Sequence, residues 1–113
     1  MKKYEQDIFR EAVSYMEDHM GEFVRVADLA RALYISESGL QRSFRACADV
    51  GVHTYMLRLK LNKAMVALGN GATVAEAAML VGFSNRNHFS CSFKKYFGIT
   101  PSQAGKRWPS EEE

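Results

Sequence analysis

The sequence predicts an all-α fold of about seven helices, forming two helix-turn-helix subdomains joined by a long linker helix. Three observations predict it. First, Leu, Ala, Met, Lys and Arg are common, β-branched runs are scarce, and there are only 2 prolines in 113 residues. Second, apolar residues recur at three- and four-residue spacing along most of the chain. Third, one segment is a weak copy of another, 48 to 49 residues further on.

The elements follow in order. Ile8, Ala12, Tyr15, Met16 and then His19 or Met20 share one side of a helix running from about Tyr4 to Met20, closed by Gly21. Val26, Leu29, Ala30 and Leu33 mark a second helix. A third runs from about Glu37 to Ala46 with Ser36 as N-cap, and Leu40 and Phe44 are its only large apolar residues. After Gly51, a helix from about His53 to Leu68 carries two apolar stripes: Leu57, Leu61, Ala64, Leu68, and Tyr55, Leu59 with Met65 or Val66. A helix apolar on two sides is buried from two sides, as a connector between two small cores would be. Gly69-Asn70-Gly71 ends it.

Thr73 and Glu76 form a capping box for a fifth helix, Val74 to about Val81. Gly82-Phe83-Ser84 reads as a turn. The sixth helix, about Arg86 to Tyr96, has Phe89, Phe93 and Phe97 four apart and stops at Gly98. Thr100-Pro101-Ser102-Gln103 is a second capping box with Pro at the first helical position, opening a last helix to about Arg107 or Trp108. The expected organisation is a first subdomain over 1–50, a linker over 51–71, a second subdomain over 72–110 and an acidic tail over 111–113.

The duplication matches Val26-Ala27-Asp28-Leu29-Ala30 with Val74-Ala75-Glu76-Ala77-Ala78, Leu33 with Val81, Ile35 with Phe83 and Ser36 with Ser84, all 48 apart. Leu40 with Phe89 and Phe44 with Phe93 are 49 apart, so the second copy has one extra residue in its turn or early helix. In each copy a short helix with small residues precedes a helix tied down along one edge by two apolar residues. The remaining faces of that second helix are free and polar, as a helix-turn-helix requires.

Charge is distributed unevenly. Residues 1–30 hold seven acids and four bases, net −3; residues 31–110 hold eleven bases and three acids, net +8; the final three are Glu. A basic body between acidic ends fits a polyanionic partner. The free face of the third helix carries Ser38, Gln41 and Arg42, and that of the sixth Asn85, Arg86, Asn87, Ser90 and Cys91. Arg suits the guanine edge and Asn or Gln the adenine edge, so these are the candidate base contacts to double-stranded DNA. Arg45, Arg58, Lys60, Lys94 and Lys95 are candidate phosphate contacts, which position without specifying.

At these residues the chain resembles the DNA-binding domain of the AraC/XylS family of transcription regulators. Val26 to Ala30 with Leu40-Gln41-Arg42-Ser43-Phe44-Arg45 is similar to the family's first helix-turn-helix. The segment from Tyr55 to Ala64 is similar to its linker helix. Val81-Gly82-Phe83-Ser84, Phe89-Ser90, Phe93-Lys94-Lys95-Tyr96-Phe97-Gly98 and Thr100-Pro101 are its most specific stretch. The resemblance implies two recognition helices in successive major grooves, transcription regulation by activation, and contact with RNA polymerase. The chain departs from the family at Val52-His53 (usually Ser-Pro), at Cys91 (usually Arg) and at Ala104-Gly105 (usually Tyr-Arg). Members often carry a ligand-sensing or dimerising domain, so this is expected to be either a short stand-alone regulator or a piece of a longer protein missing that domain.

Other classes fit less well. His19, His53 and His88 lie on three elements, and no catalytic, dinucleotide or metal-binding spacing occurs, so no enzyme, metal or cofactor is expected. A helical protein-interaction module would expose apolar residues on the faces that are polar and basic here. No run reaches the roughly 18 apolar residues of a membrane span, so no membrane partner is expected. Cys47 and Cys91 stand far apart, which fits a reduced, cytoplasmic setting.

Overall fold

The computed structural model describes residues 2–105. Its helices are α1 (Lys2–Asp18), α2 (Val26–Ala32), α3 (Glu37–Ala48), α4 (Val52–Gly69), α5 (Val74–Leu80) and α6 (Arg86–Phe97). A helical stretch at 101–105, α7, makes the seventh, and there is no strand among the described residues. The expected continuation of this last helix to Arg107 or Trp108 lies outside the described residues.

The chain divides into two compact units. One is the described residues through His19 with Phe23–Leu57; the other is Met20–Glu22 with the described residues from Arg58 onward. Helix α4 is therefore shared: its residues through Leu57 belong to the first unit and the rest to the second.

The first unit buries Ile8, Ala12 and Met16 of α1 with Leu29, Ala30, Leu40, Phe44, Val52 and Met56. Phe9, Phe44 and Tyr55 pack edge to face with ring centroids 4.9 to 5.4 Å apart, the geometry that aromatic quadrupoles favour. Helix α1 ends at Asp18, two residues before the expected Met20. His19 turns back there: its Nδ1 lies 2.8 Å from the Tyr15 carbonyl and its ring stacks on the Tyr15 ring.

The second unit buries Leu61, Ala64, Leu68, Ala77, Ala78, Val81, Phe83, Phe89, Phe93 and Ala104. Phe83, Phe89, Phe93 and Phe97 form a continuous chain of ring contacts at 4.6 to 5.7 Å. Both capping boxes are made: Thr73 with Glu76 opens α5, and Thr100 with Gln103 opens α7.

On α4, Val52, Met56, Lys60, Ala64 and Leu68 form one buried stripe at four-residue steps, with Leu61 beside it. Val66, an alternative member of the second expected stripe, is 63% exposed, and Met65 is the half-buried one. Lys60 is 1% exposed, although its charge would ordinarily keep it outside. Its Nζ donates to the carbonyl oxygens of Met20 (2.5 Å), Glu22 (2.6 Å) and Val81 (3.1 Å). Those bonds fasten the start of the α1–α2 connector and the end of α5 to α4.

Candidate nucleic-acid interface

The two repeats are alike in detail. Helices α2 and α5 each have 7 residues and start 48 apart; α3 and α6 each have 12 and start 49 apart. The N-cap of α3 is Ser36, whose Oγ accepts from Gly39 N at 3.0 Å, and the N-cap of α6 is Asn85, whose Oδ1 accepts from His88 N at 3.1 Å. Ser36 therefore corresponds to Asn85 and not to Ser84, and the extra residue lies in the second turn. Both long helices close on a left-handed residue, Asp49 at φ 62° and Gly98 at φ 83°.

Leu40 and Phe44 on α3, and Phe89 and Phe93 on α6, are fully buried and anchor one edge of each helix. Helical spacing then turns Ser38, Arg42 and Arg45 outward on α3 as one exposed stripe. Forty-nine residues on, Asn87, Cys91 and Lys94 form the corresponding exposed stripe on α6. Arg86 at the first turn and Lys95 toward the end of α6 are exposed beside it. Among the described residues, the surface ion pairs are Arg10–Asp7, Arg25–Asp28 and Arg31–Asp28. None of them engages a candidate contact.

Lys60, Gln41, Ser90 and Asn85, all expected site residues, take other positions. Lys60 is corrected outright: its amine is buried against three carbonyls and is not presented to a phosphate. Burial pushes that amine down from 10.5 to about 8, against the opposing pull of the Glu22 carboxylate. Gln41 is half-buried, and its Oε1 accepts from Val52 N at 3.0 Å. It caps the first amide of α4, where Gly51 has no side chain to do so, and its acceptor is thereby removed from any base edge. Ser90, its counterpart on α6, is also half-buried. The carbonyl oxygen of Asn85 is occupied by capping, so the residue stands at the mouth of α6 rather than on its face. Arg58 is exposed, with its guanidinium 5.8 Å from the Tyr96 ring centroid.

One surface residue is not marked by the apolar periodicity. Tyr34, in the turn between α2 and α3, has φ 60° and is 94% exposed. Its place in the repeat is that of Gly82, at φ 85°. That pairing with a glycine was the available signal.

Two copies of one helix-turn-helix, each presenting an exposed polar stripe on an edge-anchored helix, define a DNA-binding protein. A family model described as a helix-turn-helix domain matches residues 29–107. The chain is similar to a solved transcriptional regulator from Chromobacterium violaceum, described by its AraC-type DNA-binding domain, at 30% identity and TM-score 0.85 over 91% of this chain and 93% of that one. It is 36% identical over 87 residues to the Msm operon regulatory protein of Streptococcus mutans, covering 76% of this chain and 31% of that protein. The fold also matches the DNA-binding domain of AdpA, solved with a target DNA, at TM-score 0.83 and 21% identity over 90% of this chain and 93% of that one. The chain belongs to the AraC-type helix-turn-helix family of transcription regulators. It spans about a third of the length of that curated relative.

No helix among the described residues is long and apolar enough to cross a membrane.

Proposed function

We propose that this chain reads double-stranded DNA by laying α3 and α6 in successive major grooves, one helical turn or roughly 34–36 Å apart. The observation that carries this reading is the pair of matched outward stripes, Ser38-Arg42-Arg45 and Asn87-Cys91-Lys94. Ser38 and Arg42 face bases in one groove; Arg86, Asn87 and Cys91 face them in the other, with Ser90 at the margin. Gln41 and Asn85 retain amide donors on the same helices and act at the edge of each groove. Arg45, Arg58, Lys94 and Lys95 hold phosphates. The protein acts in the cytoplasm as a transcription activator that touches RNA polymerase, performing no chemistry of its own. An effector or dimerisation domain acting together with this chain is part of the same proposal.

The test is binding to a duplex of arbitrary sequence at several salt concentrations. Four phosphate contacts give a slope of log affinity against log salt of roughly −3 to −4. Absence of salt-dependent duplex binding contradicts the proposal.

A further inference from the structure

Tyr34 holds a backbone conformation that an aromatic L-residue rarely adopts. At φ 60° its Cβ crowds the following carbonyl, and such a residue persists only where something else makes use of it. Nothing inside the first unit does so, since the side chain is 94% exposed. The left-handed position itself does not need a side chain: the second repeat, whose turn is one residue longer, fills it with Gly82 at φ 85°. So the first repeat carries a strained, outward-pointing phenol where the second carries a hydrogen atom.

Its neighbourhood indicates what the phenol meets. Tyr34 stands two residues before the N-cap of α3. It lines an open groove with Ser36, Gly39 and Arg42 of that helix and its cap, while Tyr4 and Glu5 supply the α1 wall. Tyr34 and Arg42 line the same groove, so a duplex received by Arg42 lies next to the phenol. A tyrosine hydroxyl is a regular donor to phosphate oxygen.

We infer that Tyr34 is a backbone contact of the first helix-turn-helix, its hydroxyl donating to a DNA phosphate that flanks the groove occupied by α3. This rests on the DNA-reading function proposed above. The contact carries no sequence information.

Wild type, Tyr34→Phe and Tyr34→Gly are titrated with one 30-base-pair duplex and one of unrelated sequence (a length chosen to exceed about two helical turns), and their thermal unfolding is recorded. Tyr34→Phe keeps the ring and the strain and loses only the donor. Its affinity should fall about three- to tenfold on both duplexes, with the unfolding temperature unchanged. Tyr34→Gly relieves the backbone, so its affinity should fall at least as far while its unfolding temperature stays level or rises. Binding by Tyr34→Phe as tight as wild type overturns the assignment. A lowered unfolding temperature in Tyr34→Gly also overturns it, because the side chain would then be structural. A wild-type chain that binds neither duplex overturns the underlying function, and is distinguished from both of those results.

Discussion

Arg42 and Cys91 are the same residue of two copied helices. Each is the sixth of twelve, each is exposed, and each lies between its counterpart polar neighbours on the outward stripe. Arginine offers a planar fork of donors that matches the guanine edge; a thiol is a weak donor of short reach. The two units are therefore built alike and equipped differently. Arg42→Ala should cost about 1–3 kcal/mol of specific binding and relax one base position in its half-site. Cys91→Arg should raise affinity and add a guanine preference in the other half-site. Competition among duplexes with single-base changes checks both. An unchanged base preference in Cys91→Arg would show that α6 does not face bases at this position.

Lys94 and Lys95 lie in the last turn of α6, where cations also favour the helix dipole. The phosphate-holding role proposed for them acts on every sequence. Lys94→Ala and Lys95→Ala should each weaken specific and random duplexes by the same factor. Each should also flatten the salt slope by about 0.9. Losses confined to one sequence would place them among the base contacts.

Lys60 is a structural cation. Replacement by Met removes the donor shared by the Met20, Glu22 and Val81 carbonyl oxygens and should destabilise the protein by about 2–3 kcal/mol in urea denaturation. The pH dependence has a definite sign. Burial lowers the folded-state value from 10.5 to about 8, so between those values the unfolded chain holds a proton that the folded chain has released. This group's contribution to stability therefore rises as pH increases from about 8 to 10.5, and falls as pH drops through 8. The difference in unfolding free energy between wild type and Lys60→Met should widen across that window. A constant difference would mean that the amine is not shifted by its surroundings.

Gly82 combines a φ of 85° with a close approach: a Cβ there would lie 2.7 Å from the Gly21 carbonyl oxygen. Gly71, at φ 102°, has nothing within 4 Å of the same position. Gly82→Ala should thus cost about 2–4 kcal/mol, combining strain and displacement, whereas Gly71→Ala should cost about 1 kcal/mol from strain. Equal losses on unfolding would remove the role assigned to the close approach.

These cases also show which features the sequence makes readable. Local chemistry is legible: Ser36, Thr73 and Thr100 cap the helices they precede, and the Leu40/Phe44 and Phe89/Phe93 pairs sit in the cores their spacing indicates. The duplication is legible because the same local signals occur twice. What stays hidden depends on partners distant in sequence. Lys60 occupies a core step of α4, but its acceptors are carbonyls contributed 40, 38 and 21 residues away. Gln41 has the composition of a base-reading residue, and only the fold brings the Val52 amide to it. Ser84 and Asn85 are comparable cap formers, and the backbone decides between them. Tyr34 looks like any turn residue until its φ is seen.

Both helix-turn-helix units are proposed to read bases. Selection from duplexes with about 24 randomised base pairs, at physiological salt, tests it most directly. Two enriched blocks about one helical turn apart are expected, with the weaker information content in the block read by the helix that carries Cys91. A single enriched block, or none, would contradict base reading by both units.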